Sequence, residues 1–175
     1  KMGLTVIHDF FDERLAASLL KSKGPFDLIV ALNVLAHFPT FMSAFKGIRT
    51  LLTPRGILHL EVADATETLA NGRFDTIYHE HVCNYTLTSI DAVLRLAGLR
   101  GIHAEKIDTQ GGSLRVLATC EDGDLETRET YRTLLDRDQA GGVNTKDFYL
   151  AVRAKPEASI SSLSAAYADF CRDGA

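Results

Sequence analysis

Apolar residues fall into short runs divided by polar breaks, and the spacing inside the runs changes along the chain. Leu4 to Phe11 is rich in apolar and β-favouring residues and predicts a short strand. Asp12 is placed to cap a helix whose apolar face is Leu15, Leu19 and Leu20, and Gly24, after Lys21 and Lys23, reads as its stop. Phe26 to Leu32 is nearly continuous in apolar side chains. Its length and its Ile29-Val30 pair predict a buried parallel strand. Polar groups return at Asn33-Val34-Leu35-Ala36-His37, and Pro39 suits the first turn of a helix. Phe41, Phe45, Ile48 and Leu52 then recur on one helical face. Thr53-Pro54-Arg55-Gly56 breaks that pattern before a strand over Ile57 to Val62.

Strand, helix, strand, helix, strand in that order predicts a doubly wound α/β sheet. Ala63 to Tyr85 is mixed and polar, with a turn at Asn71-Gly72. Thr88 or Ser89 is the expected cap of a helix carrying Ile90, Val93, Leu94 and Leu96, closed by Gly98. Leu99 to Ile107 and Ser113 to Cys120 predict two strands, antiparallel because the link between them is short. Asp122 to Arg137 is so highly charged that a solvated helix or linker is expected. Phe148, Val152, Ile160, Leu163, Tyr167 and Phe170 keep helical phase, with Pro156 kinking or dividing that helix. The pattern divides the chain into an α/β domain over 1–121 and a helical extension over 122–175.

Composition narrows the function classes. The net charge is −4 without any block of like charges, which argues against nucleic acid or an anionic membrane as main partner. A small anionic ligand is compatible, since it needs only local cations and backbone N–H groups. No apolar run approaches the ~20 residues of a membrane helix. Cys83, Cys120 and Cys171 are scattered without Cys-x-x-Cys spacing, so they predict neither a disulfide framework nor a zinc site. They read as reduced thiols of a cytoplasmic protein.

Three stretches carry a family resemblance. They are Phe26-Asp27-Leu28-Ile29-Val30 with Asn33 to His37, then Phe74-Asp75-Thr76-Ile77-Tyr78-His79-Glu80-His81, then Gln110-Gly111-Gly112-Ser113-Leu114-Arg115. Their order and separation resemble the S-adenosylmethionine (SAM)-dependent sugar C-methyltransferases, which act on keto-deoxysugar nucleotides. The resemblance runs from about residue 3 to about residue 120. It implies a Rossmann-like class I methyltransferase sheet ending in an antiparallel strand pair. Members begin with a cysteine-rich zinc-binding domain and carry a glycine-rich SAM loop after the first strand. Neither is in this sequence, which therefore resembles an excerpt entered near the family's third strand. Zinc would belong only to the missing domain. The strand at Leu4 to Phe11 is expected to lack its neighbour, and unpaired backbone is costly.

By the same resemblance SAM is the cofactor and a nucleotide-linked sugar the small-molecule substrate. Carbon becomes a nucleophile only after a C–H beside a ketone loses its proton, so the site needs a base and a partner for the developing oxyanion. His81 is the candidate base, because imidazole titrates near neutral pH. Tyr78 is implied to contact the substrate oxygen or relay a proton, and Glu80 to orient the histidine. His37, at the carboxyl end of a central strand, is a second candidate acid or base. Asn33 sits where relatives contact the methionine part of SAM, and Gly111, Gly112, Ser113 and Arg115 are candidate substrate contacts. In an extended segment Tyr78 and His81 would diverge. The mechanism therefore predicts a turn over residues 78 to 81 with both side chains facing one cavity. His79, Glu80 and His81 are also metal-ligand types, but the zinc-protease spacing would need histidine at position 83, which is Cys83. An O- or N-methyltransferase, or a non-catalytic domain that binds a nucleotide sugar, is the alternative reading.

Overall fold

A computed structural model describes residues 3–172; Lys1, Met2 and residues 173–175, the end of the expected helical extension, lie outside the described residues. Helix α1 (Glu13–Lys23) opens with the Asp12 side chain accepting from the Leu15 N–H at 2.7 Å and closes at Gly24, whose φ of 79° suits glycine. It leads into β1 (Phe26–Leu32), helix α2 (Phe41–Leu51), β2 (Leu52–Ala63) and the short α3 (Ala65–Ala70). Helix α4 (Leu87–Leu96) precedes the hairpin of β3 (Leu99–Ile107) and β4 (Ser113–Cys120), and α5 (Glu129–Ala140), α6 (Lys146–Val152) and α7 (Ala154–Arg172) end the chain.

The sheet order is β1-β2-β4-β3. β1 pairs parallel with β2, whereas β4 pairs antiparallel with both β2 and β3. This is an α/β fold with a mixed sheet. Cross-strand partners fix which side chains share a face. Ala31, Leu60 and Val116 lie abreast, as do Ile29, Leu58 and Ala118. This face packs with α2 and α4 into one core that includes Phe45, Ile48, Ile90 and Leu94.

The opposite face is different. Leu28, Val30 and Leu32 project there, with 58, 51 and 46% of their surface exposed. The strand predicted over Phe26 to Leu32 forms over those residues and is parallel, but it is not buried. The strand expected over Leu4 to Phe11 does not form. That segment has no regular structure, and Leu4, Val6 and Phe10 are exposed. A strand needs a backbone partner to satisfy its N–H and C=O groups, and β1 pairs only with β2 among the described residues.

Three smaller differences have local causes. The cap of α4 is Thr86 rather than Thr88 or Ser89. Its hydroxyl accepts from the Ser89 N–H at 3.1 Å, while Ser89 Oγ accepts from the Thr86 N–H at 3.0 Å, a reciprocal capping box. Strand β2 begins at Leu52, so Thr53 to Gly56 is strand with a register shift against β1 rather than a break. The charged segment after Asp122 is less solvated than its composition predicts. Thr127 and Arg128 hydrogen-bond the backbone of β3, and α5 buries Tyr131 and Asp138 against β3 and α4. The helix break at Arg153 and Pro156 in the first turn of α7 agree with the expected division. No described helix is long and apolar enough to cross a membrane.

Candidate active site

The carboxyl ends of β1 and β2 open onto a cavity of about 290 Å³, at the lower limit of the roughly 300–1,000 Å³ of small-molecule sites. Its wall includes Asn33, His37, Tyr78, His81, Tyr85 and Gln110. β1 ends at Leu32, and Asn33 turns the chain with φ at 54° while its N–H still donates to the Glu61 carbonyl at 2.8 Å. A 3₁₀ turn over Leu35–His37 follows.

Residues 78 to 81 form the expected turn, closed by the His81 N–H donating to the Tyr78 carbonyl at 3.0 Å. It brings the Tyr78 and His81 rings to 4.4 Å between centroids, and His37 stands 4.9 Å from His81. The turn and the segment after it are tied to the 35–37 turn at three points. His37 Nδ1 meets the Glu80 carbonyl at 3.0 Å, the Cys83 N–H donates to the Ala36 carbonyl at 3.2 Å, and the Tyr85 hydroxyl donates to the Leu35 carbonyl at 3.4 Å. Tyr78 and His81 thus meet His37, although more than 40 residues separate His37 from His81 in sequence.

The histidine tautomers follow from their partners. His81 Nδ1 lies 2.6 Å from the Thr76 carbonyl, and His37 Nδ1 lies against the Glu80 carbonyl. A carbonyl oxygen only accepts, so each Nδ1 carries the proton and each neutral ring keeps Nε2 free to take one. Burial, with Cys83 close by, pushes the Tyr85 phenol above its ordinary value, so Tyr85 serves as a neutral donor in the floor.

The structure separates the remaining sequence candidates. The Glu80 side chain is exposed and is not part of the cavity wall; its backbone carbonyl, not its carboxylate, contacts a histidine. Gly111, Gly112 and Ser113 line a neighbouring groove with Glu67, Arg73 and Lys106. The positive φ values of Gly111 and Gly112, 81° and 121°, shape that turn. Arg73 donates to the Gly111 carbonyl and the Asp64 N–H to the Gly112 carbonyl. Arg115 is engaged by Glu61 at 3.3 Å and Glu105 at 3.0 Å. Gln110, Tyr85 and Cys83 reach the cavity without having been singled out as site residues. Gln110 alone left a trace in sequence, as the polar residue before the glycine pair.

Sequence comparison decides the family. The family described as "Methyltransferase domain" matches residues 3–104. The chain belongs to the methyltransferase-domain family. This methyltransferase domain is also 29% identical over 147 residues to C-methyltransferase NovU of Streptomyces niveus, across 84% of this chain and 35% of that protein. The chain therefore spans about a third of the length of that relative. Among solved structures, mitomycin 7-O-methyltransferase MmcR has a TM-score of 0.49 at 16% identity, covering 62% of this chain and 39% of its own. Magnesium protoporphyrin IX methyltransferase (ChlM) from Synechocystis PCC 6803, with bound SAH, has a TM-score of 0.43 at 18% identity, covering 55% of this chain and 45% of its own.

Proposed function

We propose that the protein is a SAM-dependent C-methyltransferase acting on a carbon beside a ketone of a nucleotide-linked deoxysugar. The observation that carries the reading is the convergence of Tyr78, His81 and His37 on one cavity that also contains Asn33 at the end of β1. Family membership supports methyl transfer, and the C-methyltransferase relative supports carbon as the acceptor. The unpaired cysteines fit a reducing, cytoplasmic setting.

SAM, when bound, supplies an electrophilic methyl group. The fit of this chain to it rests on Asn33, whose Oδ1 is shielded from solvent and without a partner, at the carboxyl end of a strand where α/β sheets bind ligands. The residues here make the carbon reactive. His81 Nε2 takes the proton beside the ketone, and the Thr76 carbonyl holds the ring through Nδ1 as the imidazolium forms. The Tyr78 hydroxyl donates to the oxygen where charge develops. The edge of His37 near His81 provides a second site for the proton. Gly111, Gly112 and Ser113, in the neighbouring groove, are within reach of a part of the substrate that projects from the cavity.

The test is isotope exchange. With a keto-deoxysugar nucleotide and SAM in deuterated water, the protein should wash deuterium into the carbon that is methylated. His81→Ala should slow that exchange by about 10²–10⁴-fold, the usual share of a positioned base. Exchange at the parental rate in His81→Ala would remove His81 from the role of base. Transfer of methyl to oxygen or nitrogen without any C–H exchange would overturn the choice of carbon.

A further inference from the structure

Two residues other than glycine hold a positive φ among the described residues, Asn33 at 54° and Gln110 at 51°. Both line the cavity. Strained backbone persists where its surroundings over-determine it, and here both positions lead to one carboxylate. Glu61 of β2 is buried, at 7% exposure. Its Oε1 accepts from Asn33 Nδ2 at 3.3 Å and from the hydroxyl of Thr109, the residue before Gln110, at 3.1 Å. Its Oε2 accepts from Arg115 at 3.3 Å.

We propose that Glu61 is a positioning residue that sets the Asn33 amide and the Thr109–Gln110 turn around the cavity. An ionised carboxylate only accepts hydrogen bonds. It therefore holds the Asn33 amide with Nδ2 inward and Oδ1 away from it, the orientation assigned by this network. That Oδ1 is shielded and has no partner within the protein. Asn33 lines the cavity, and its unpaired acceptor calls for a donor as the matching ligand group. On the methyltransferase reading, on which this last step rests, the donor is the ammonium of the methionine part of SAM. Arg115, held between Glu61 and Glu105, balances the buried charge and is a support of this network.

The test is a double-substitution cycle in the full chain, read as the dissociation constant of S-adenosylhomocysteine, which carries the same ammonium. Glu61→Gln offers an amide that donates as well as accepts, so the Asn33 amide loses its fixed orientation. We expect it to weaken binding about tenfold when Asn33 is present, the scale of one charge-assisted hydrogen bond. It should weaken binding less than twofold in an Asn33→Ala background. Equal weakening in both backgrounds would overturn the proposal, because a residue of purely structural role acts independently of Asn33. A ligand-free measurement stands beside it. In ¹⁵N-labelled protein, Glu61→Gln should shift the Asn33 side-chain amide pair, and an unmoved pair overturns the proposal. Should the unsubstituted protein hold S-adenosylhomocysteine too weakly for the cycle, the ligand-free spectrum alone decides the role of Glu61.

Discussion

Branched aliphatic residues stand on both faces of the sheet and meet opposite surroundings. On one face Leu58, Leu60, Val62, Leu114 and Val116 are sealed beneath α2 and α4. On the other, Leu28, Val30 and Leu32 stand open to solvent. All eight are branched aliphatic residues on well-paired strands, so neither hydrophobicity nor strand propensity separates them. The difference is the cover. A strand is stabilised along its edges by hydrogen bonds and across its faces by packing, and a backbone ladder can form where packing on one face is missing. Runs of apolar residues therefore locate strands better than they locate burial.

The largest expected effect tests this contrast directly. Leu60→Ala removes a fully buried side chain from the centre of the core and should cost about 2–5 kcal/mol, the range of large-to-small core substitutions. Leu28→Ala, which removes the same atoms from the open face, should cost less than about 1 kcal/mol, since most of that side chain is already in water. Urea unfolding of the two variants beside the parent measures both. Equal losses would show that the open face is as well packed as the sealed one.

The same distinction explains what was legible in the sequence. β1, β3 and β4 fall on the residues that their patterns predict, because apolar spacing and glycine-bounded turns are local signals. The Asp12 and Gly24 boundaries of α1 were also readable, since capping chemistry is local. Leu4 to Phe11 did not form a strand because pairing is not a local property: the pattern was present, and among the described residues nothing pairs with it. At the site, Tyr78 and His81 were readable as a pair, since a turn joins residues three apart. His37 was visible as a candidate, but its approach to His81 depends on the hydrogen bonds that tie residues 80–85 to residues 35–37. Glu61 left no signal. A single glutamate in a strand reads as a solvent-facing position, and only the strand order shows that Asn33, Thr109 and Arg115 surround it.

A middle-sized effect sharpens the comparison on the covered side. Tyr131 of α5 is buried, and its hydroxyl donates to Asp91 of α4 at 2.9 Å. Burial, together with the Asp91 charge, pushes this phenol above its ordinary value, so it remains a donor at neutral pH. Tyr131→Phe keeps the ring packed near Gly101 and removes that one bond. Asp91 retains Arg95 at 2.8 Å, so the carboxylate is not left bare. The expected loss is about 1 kcal/mol, the usual net worth of such a bond, read from the midpoint of urea unfolding. A loss near that of Leu60→Ala would mean that α5 is held by this bond rather than by packing.

The smallest effect is expected at Val30, and it is the sharpest test of the open face. Val30→Thr preserves β-branching and shape and exchanges a methyl group for a hydroxyl, so strand propensity is kept. The cost of such a change lies in taking the hydroxyl out of water. Val30 is half exposed, so the hydroxyl keeps its water and stability should hold within about 0.5 kcal/mol, the scatter of surface substitutions. The measurement is the unfolding midpoint at two protein concentrations. A loss above 1 kcal/mol that grows with concentration would mean that a second molecule covers Leu28, Val30 and Leu32 in solution, because association stabilises by mass action. The two faces would then differ in where their cover comes from, not in whether they have one.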